Sequence, residues 1–417
     1  MQSDISTVCV VGLGYIGLPT AALVASRGLK VTGIDIDPSV VATVGEGRVH
    51  IVEADLDGLV QKCVRSGTLM VDSEPQPADV FLIAVPTPLS SDKQPVVDHV
   101  FAAARSIAPR LGRRSLVIIE STCPVGTTEK VCRFLAELRP DLKFPNPHGN
   151  GSQPDVAIAY CPERVLPGRI LMELVQNDRC VGGLTPSCTA KARKFYELFV
   201  RGECVETTAR TAEMVKLTEN AFRDTNIAFA NELSVICDDS GVDVWDVIQL
   251  ANRHPRVDIL KPGPGVGGHC IAVDPWFIVD MAPTKARMIR TAREVNDGKT
   301  DHVFERACSL IDANPGRPVI CLGLAFKADV DDLRESPALA IVQRLARIHG
   351  ERISVVDPFI ESLPAELLDR GVRKLSLGEA LLEDGILILL VDHTAFRRMD
   401  AWRRNGAVVY DTKGIWR

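Results

Sequence analysis

The chain has 417 residues, which is too long for one hydrophobic core and predicts two or three domains. Its composition, with 46% hydrophobic and 24% charged residues, is ordinary for a soluble globular protein. The net charge of -6 argues against a nucleic-acid partner, and no apolar run reaches the roughly 18 residues that a membrane span requires.

The first segment alternates short apolar runs with longer stretches of helical pattern. This alternation is typical of a doubly wound parallel sheet whose strands are joined by crossover helices. The predicted strands are 8–11, 31–34, 80–85, 116–119 and 156–159.

The middle of the chain is predicted to be helical. One long helix runs from about 211 to 241, a second covers 244–251, and a third covers 287–296. The last third returns to strands at 319–322, 353–356, 386–391 and 407–410, and "VICLGLAFK" at 319–327 resembles the opening "VCVVGLGYIG". We therefore predict an α/β fold with two Rossmann-like domains, 1–200 and 301–417, joined by a helical central domain, 201–300.

A dinucleotide fingerprint follows the first strand. Gly12 allows a tight turn, Gly14 lets the backbone approach a pyrophosphate, and Gly17 lets helix and strand pack closely. Asp35 ends the second strand, where a carboxylate binds the adenosine ribose and repels the extra phosphate of NADP. The sequence predicts NAD as cofactor, with Tyr15 and Ile16 contributing to the same turn.

Polar residues follow three successive strands. Thr87, Thr122 and Glu163 come just after strands that should end at one edge of the sheet, where open α/β sheets bind ligands. Lys216 and Asn220 are four residues apart on the long helix and share a face, with Val215, Leu217, Ala221 and Phe222 expected to crowd the same turn.

One of the twelve cysteines stands out. Cys270 lies in "PGPGVGGHCIAVDP" at 262–275, among four glycines and three prolines, with Asp274 four residues later. No C-x-x-C pair occurs, so we predict no metal site, and the cysteine usage fits a reduced cytoplasmic protein. The N-terminus lacks the pattern of a signal peptide, in line with that compartment. His269 is not expected to act as the base for its neighbour.

Three long motifs carry a family resemblance. "EMVKLTENAFRDTNIAFANE", "GPGVGGHCIAVDP" and "GLAFKADVDDLRESP", with the N-terminal fingerprint, resemble the UDP-glucose/GDP-mannose dehydrogenase family over essentially the whole chain. The resemblance implies oxidation of a primary alcohol to a carboxylate by two successive hydride transfers to NAD. It also implies that Cys270 forms a thiohemiacetal and then a thioester, with glycines that let the backbone pass close to the sugar.

The resemblance implies roles for other residues by matching position. Lys216 and Asn220 steady the oxyanion, Asp274 acts through a water that Thr122 helps to hold, and Glu163 serves thioester hydrolysis. Arg334 reaches the cofactor from the C-terminal domain. The remaining implied substrate contacts are Arg164, Gly267 and Lys327.

The segment "NRHPRV" points to a substrate and to an assembly. With the Cys270 loop, it is similar to the bacterial branch of the family that oxidises UDP-N-acetyl-D-mannosamine for surface polysaccharide. The resemblance implies a homodimer in which His254 and Arg256 act in the neighbouring subunit. Alternatives are UDP-N-acetylglucosamine or UDP-glucose as substrate, a two-electron hydroxyacid-type dehydrogenase, and an inactive NAD-sensing protein.

Overall fold

The computed structural model describes residues 5–146, 153–166, 168–268, 270–399 and 408–416. Two compact units, Met1–Thr218 and Glu219–Arg417, divide the chain. Each contains one sheet in which nearly all strand pairs are parallel, so the predicted α/β class with two Rossmann-like domains is confirmed.

The first unit contains an eight-stranded sheet. Its strands are β1 (Thr7–Val11), β2 (Lys30–Ile34), β3 (Leu69–Asp72), β4 (Val80–Ile83), β5 (Leu116–Ile119), β6 (Ala157–Tyr160), β7 (Arg179–Gly183) and β8 (Cys204–Thr208). Their order across the sheet is β3-β2-β1-β4-β5-β6-β7-β8. Only the β6/β7 pair among these described strands is antiparallel.

Helices cover both faces of this sheet. They are α1 (Gly17–Ser26), α2 (Pro38–Gly45), α3 (Leu56–Arg65), α4 (Asp98–Ile107), α5 (Thr127–Leu138), α6 (Ile170–Gln176), α7 (Pro186–Tyr196) and the start of α8 (Ala209–Ser240); a 3-10 turn covers Ala108–Arg110. Val8 and Val10 belong to the core on one face, and Cys9 and Val11 to the core on the other. A strand buried on both faces must be apolar throughout, which is why β1 is visible in the sequence.

Three strands of the first unit were not predicted. Both β3 and β8 are edge strands with half-buried or exposed positions, so they carry polar residues and lack a continuous apolar run. The segment of β7, RCVGG, begins with an arginine and ends with two glycines, a composition that disfavours a strand.

The second unit continues α8 and adds α9 (Val244–Ala251), α10 (Asp274–Met281) and α11 (Arg287–Asp312). Its parallel sheet has the order β11-β10-β9-β12-β13. The strands are β9 (Val319–Leu322), β10 (Ile353–Val356), β11 (Arg373–Lys374), β12 (Ile386–Leu389) and β13 (Val408–Asp411), and the helices are α12 (Pro337–His349), α13 (Ala365–Leu368), α14 (Leu377–Ala380) and α15 (Thr394–Arg397), with a 3-10 turn at Gly350–Arg352.

Helix α11 is longer than the predicted 287–296. The sequence Asn296-Asp297-Gly298 is typical of a turn, but Asn296, Val303 and Ile311 are buried along one side of a continuous helix. Tertiary packing thus overrides the local turn preference. Among the described residues, no helix combines the length and apolar character needed to cross a bilayer.

The same turn is built twice. Gly12 donates from its backbone N–H to the carbonyl of Ile34 at 2.8 Å, and Gly323 donates to the carbonyl of Val356 at the same distance. Both glycines have positive φ, at 92° and 90°. The likeness noticed between the two sequence segments therefore corresponds to one repeated strand-to-turn geometry.

Candidate active site

The three glycines of the first turn have different surroundings. A Cβ on Gly12 would lie 2.6 Å from the Ala84 carbonyl oxygen, and one on Gly17 would lie 1.7 Å from that of Gly12. At Gly14, which is exposed, no atom lies within 4 Å of an added Cβ. Gly12 and Gly17 are therefore needed for packing, whereas Gly14 leaves open space beside the turn. That open space at the start of α1 fits a pyrophosphate.

Asp35 is held by two backbone groups. Its Oδ2 accepts a hydrogen bond from the N–H of Leu13 at 2.9 Å, and its Oδ1 accepts one from Asp37 at 3.0 Å. Each oxygen keeps a lone pair for a ribose hydroxyl, so the residue fits the predicted role. Tyr15 and Ile16 lie half-buried in the same turn. Ile36, which sequence reasoning missed, is 92% exposed beside Asp35.

The three strand-end residues lie at one edge of the sheet. Strands β4, β5 and β6 are neighbours and parallel, so Thr87, Thr122 and Glu163 follow strand ends that point the same way. Ser121, also missed, joins two of these ends. Its hydroxyl accepts from the N–H of Val85 at 2.9 Å and donates to the Val85 carbonyl at 2.7 Å.

Glu163 and Lys216 meet within the first unit. Lys216 Nζ donates to the backbone carbonyl of Glu163 at 2.7 Å, and Glu163 Oε2 accepts from the N–H of Val165 at 2.5 Å. Glu163 is buried, with 6% of its surface exposed. Arg164 instead donates to the carbonyl of Asp178.

The helix that carries Lys216 is fixed near its start by a buried carboxylate. Glu213 accepts hydrogen bonds from the N–H groups of Gly126 and Thr128 at 2.6 and 2.8 Å. Burial raises the pKa of Glu213. Of the residues expected to crowd the turn around Lys216, Leu217 and Ala221 are buried, whereas Phe222 is 70% exposed.

Asn220 and Asp274 meet within the second unit. Asn220 Nδ2 donates to Asp274 Oδ2 at 2.6 Å, and Asp274, the first residue of α10, is only 2% exposed. The N–H of Asp274 donates to the carbonyl of Cys270 at 2.8 Å, which closes a helical turn behind the cysteine. Cys270 is exposed, while His269 lies outside the described residues.

The glycines before Cys270 face protein atoms. A Cβ on Gly265 would lie 2.5 Å from Thr300 Oγ1, one on Gly267 would lie 2.4 Å from the Glu335 carbonyl oxygen, and one on Gly268 would lie 2.9 Å from the Phe326 ring. The loop therefore packs against the segment 326–337. The family resemblance implies that these glycines let the backbone pass close to a sugar. The packing within the protein is a further reason for glycine, because no side chain fits at these three positions.

The segment 326–337 carries two of the predicted contacts. Lys327 Nζ lies 5.8 Å from the ring centroid of Phe326. Arg334 forms a two-pronged ion pair with Asp332, at 2.9 Å from Nε to Oδ1 and 2.7 Å from Nη2 to Oδ2. This pair orients the half-exposed guanidinium.

His254 and Arg256 lie on an exposed loop that follows α9. Asn252 closes this loop through two hydrogen bonds to Ile259, at 2.8 and 3.0 Å. The N–H of Arg256 donates to His254 Nδ1 at 3.3 Å. Both side chains are exposed to solvent in the single chain.

A buried polar network, absent from the sequence predictions, ties this unit together. Arg293 Nη1 donates to Asp224 Oδ1 at 2.6 Å, and Asn296 Nδ2 donates to the same oxygen at 2.8 Å. Asn231 donates to Asn296 at 2.8 Å and accepts from the N–H of Gly263 at 2.9 Å. The network joins α8 and α11 to the start of the Cys270 loop. Burial raises the pKa of Asp224.

Comparison with known proteins decides the family. The NAD binding domain, the central domain and the UDP binding domain of the UDP-glucose/GDP-mannose dehydrogenase family match residues 6–200, 210–298 and 320–417. The chain belongs to this family.

Relatives of known name cover almost all of the chain. An NDP-N-acetyl-D-galactosaminuronic acid dehydrogenase of Ralstonia nicotianae is 57% identical over 413 residues, 99% of this chain and 97% of the relative. A UDP-N-acetyl-D-mannosamine dehydrogenase of Escherichia coli is 53% identical over 421 residues, 99% of each chain. The solved structure of a UDP-D-ManNAc dehydrogenase from Pyrococcus horikoshii has a TM-score of 0.87 at 37% identity, covering 99% of this chain and 96% of that one.

This family member is an NAD-dependent nucleotide-sugar dehydrogenase. The open space at Gly14 and the held carboxylate of Asp35 fit NAD. The match to the UDP binding domain distinguishes the chain from the two-electron hydroxyacid type. The described residues contain no group of three or more side chains suited to hold a metal ion.

Proposed function

We propose that the enzyme oxidises the C6 alcohol of UDP-N-acetyl-D-mannosamine to the carboxylate in two steps, using two NAD. The observation that carries this proposal is the exposed Cys270, held one helical turn before the buried Asp274. Overall, R–CH2OH, two NAD⁺ and water give R–COO⁻, two NADH and three protons. NAD, when bound, accepts one hydride in each oxidation.

In the first oxidation the chain's residues move a proton and hold charge. Asp274 accepts the proton of the alcohol through a water that Thr122 helps to hold. Lys216 and Asn220 stabilise negative charge on the sugar oxygen. The hydrogen bond from Asn220 to Asp274, 2.6 Å long, supports the joint assignment of these two residues.

In the second oxidation Cys270 works as a nucleophile. Its thiolate attacks the aldehyde carbon, and loss of hydride from the resulting thiohemiacetal leaves a thioester. Water, giving its proton to Glu163, attacks the thioester carbonyl, the carbon–sulfur bond breaks and the thiolate is released. The burial of Glu163 and its contact to Lys216 support this role.

Substrate binding is assigned to several further residues. Lys327, Arg164 and Gly267 contact the nucleotide sugar, and Arg334 reaches the cofactor. The turn with Gly12, Gly14, Tyr15, Ile16 and Gly17, together with Asp35 and Thr87, binds NAD.

The sugar is inferred from the relatives. UDP-N-acetyl-D-mannosamine dehydrogenases of Escherichia coli and Staphylococcus aureus are 53% and 39% identical to this chain, the latter a solved structure with a TM-score of 0.86. The 57% identity to the Ralstonia protein makes the N-acetyl-D-galactosamine nucleotide a second candidate. We propose that the product serves surface polysaccharide synthesis. We also propose a cytoplasmic location, because the twelve cysteines are free thiols, as is usual for proteins of a reducing compartment.

We further propose a homodimer with His254 and Arg256 acting in the partner's site. Phe222, Phe229 and Ile236 recur every seven residues on α8 and are 70%, 57% and 54% exposed. An exposed apolar stripe on a long helix is a surface that a second copy of the same helix covers well.

The test is the number of NADH formed per nucleotide sugar consumed, for wild type and Cys270→Ala. Two NADH and a carboxylate product, with full turnover lost in the variant, support the proposal. One NADH and a released aldehyde from wild type would refute the four-electron mechanism. The same assay with the mannosamine, galactosamine, glucosamine and glucose nucleotides ranks the substrates by kcat/KM.

A further inference from the structure

The antiparallel pairing of β6 with β7 in the first sheet brings an arginine opposite Glu163. Strands β6 and β7 pair Ala159 with Gly183 and Tyr160 with Gly182. Continuing this register past the end of β6 brings Arg179, the first residue of β7, opposite Glu163. A parallel β7 would direct the start of the strand toward the other edge of the sheet.

The guanidinium of Arg179 lies between acidic groups in the protein interior. Its Nη2 is 3.8 Å from Glu163 Oε1, and the two side chains are 4% and 8% exposed. The ring centroid of Tyr196 lies 5.3 Å from the guanidinium carbon of Arg179, and the Tyr196 hydroxyl donates to Glu120 Oε1 at 2.7 Å. Burial disfavours the charge of Arg179, yet the acidic groups around it raise its pKa above the usual value, so it remains a cation.

Glu163 therefore has three polar contacts, two of them at its carboxylate. Val165 binds Oε2, Arg179 faces Oε1, and Lys216 binds the backbone carbonyl. A buried ion pair contributes little net stability compared with apolar packing, so such an arrangement serves orientation better than it serves folding. A carboxylate that takes a proton from water must be aimed at that water, which requires fixed geometry.

We infer that Arg179 is a positioning residue that aims the Glu163 carboxylate at the water that hydrolyses the Cys270 thioester. The inference rests on the proposed function. In this step the water oxygen bonds to the thioester carbon, one water proton passes to Glu163, and the electron pair of the broken carbon–sulfur bond leaves with the Cys270 thiolate. Arg179 exchanges no atoms and no electrons.

The experiment is rapid-mixing kinetics on the full-length enzyme, with NAD and the nucleotide sugar that wild type oxidises. We compare Arg179→Met, Arg179→Lys and Glu163→Gln with wild type. Arg179→Met should show a fast burst of two NADH per active site, followed by a steady state about 10²-fold slower than wild type. Intact-protein mass spectrometry after quenching should find the acyl group on Cys270. Hydroxylamine, which cleaves thioesters, should accelerate the slow phase by releasing the acyl group from Cys270.

Tyr196→Phe is the control for simple damage to the buried cluster. It removes the hydrogen bond to Glu120 without touching the Arg179–Glu163 pair. We expect a lower melting temperature and no trapped acyl group. If Arg179→Met does not fold, Arg179→Lys, which keeps the cation but reaches less far, should trap acyl-enzyme to an intermediate extent.

The outcomes distinguish a failure of the role inferred for Arg179 from a failure of the role proposed for Glu163. Trapping in Glu163→Gln together with wild-type behaviour of the folded Arg179 variants overturns this inference alone. Absence of acyl-enzyme in Glu163→Gln as well overturns the assigned role of Glu163, and the inference with it. Trapping in both Glu163→Gln and the Arg179 variants supports it.

Discussion

At the turn after β1, Gly14 and Gly17 differ in what would surround an added methyl group. We expect Gly14→Ala to keep the wild-type melting temperature, because its Cβ would have no atom within 4 Å apart from its chain neighbours. The variant should bind NAD more weakly, because the added methyl group would occupy the open space that fits the pyrophosphate. Gly17→Ala should lose stability, since its Cβ would lie 1.7 Å from a carbonyl oxygen. Thermal unfolding and NAD titration of both variants check this. Equal loss of stability in the two would contradict it.

Lys299 gives the stability a pH dependence. Burial lowers its pKa from 10.5 to about 8 in the folded chain. Below pH 8 both states carry the charge, so the folded state bears the full desolvation penalty. As the pH rises toward 10.5 the folded state has already lost its proton, and the penalty fades.

We therefore expect Lys299→Met to raise the free energy of unfolding at pH 7 by about 3 kcal/mol. The gain should shrink when unfolding is measured at pH 9.5. Lys62→Met, at an exposed position of α3, should change little at either pH. A gain for Lys299→Met that does not depend on pH would show that the change is one of packing and not of charge.

At the scale of elements, a buried ion pair joins α8 and α11 within the second unit. Arg293→Met would leave the fully buried Asp224 without its cation. We expect a loss of about 3 to 5 kcal/mol in the free energy of unfolding. Asp297→Asn, at the partly exposed end of the same arginine's contacts, should cost less than about 1 kcal/mol. Urea unfolding of both variants provides the measurement, and similar losses would count against the buried link.

Strands with a continuous apolar run could be predicted from the sequence. Strands whose position and direction depend on the neighbouring strand could not. The runs at β1, β5 and β9 are apolar because both faces are buried, and the turn at Gly12 has fixed spacing. The direction of β7 depends on how it pairs with β6, which no local pattern records. Arg179 therefore gave no signal in the sequence.

In the candidate site, the residues of long motifs could likewise be predicted from the sequence, whereas contacts between residues distant along the chain could not. Cys270, Asp274, Lys216 and Asn220 belong to long motifs, so the resemblance picked them out by position. The surroundings of Gly267 and Gly268 could not be read, because Glu335 and Phe326 lie far along the chain. The network from Asp224 to Gly263 likewise joins residues more than thirty positions apart.

For the whole molecule, the proposed dimer allows a complementation test. Cys270→Ala and Arg256→Ala should each be nearly inactive as homodimers. After subunit exchange, a mixed dimer contains one site with both residues intact, so about a quarter of wild-type activity should return. No recovery after confirmed exchange would place Arg256 in its own subunit's site.

The surface that forms this dimer can be tested by mass. Phe229→Glu adds a charge to the α8 stripe and should yield a monomer in size-exclusion chromatography with light scattering. Leu382→Glu changes a residue that is 87% exposed outside α8 and should leave the dimer intact. A dimeric Phe229→Glu protein would exclude the stripe as the interface.

The distribution of the twelve cysteines has a pharmacological consequence. Nine are buried, two are partly buried and Cys270 is exposed; burial raises the pKa of Cys9, Cys132 and Cys321 to about 12, which keeps those thiols protonated and unreactive. An electrophilic inhibitor therefore meets one exposed thiol in this protein. Its greater exposure favours reaction at Cys270, on which turnover is proposed to depend, over the two partly buried thiols, and one inhibitor molecule bound there per chain would be enough to stop turnover.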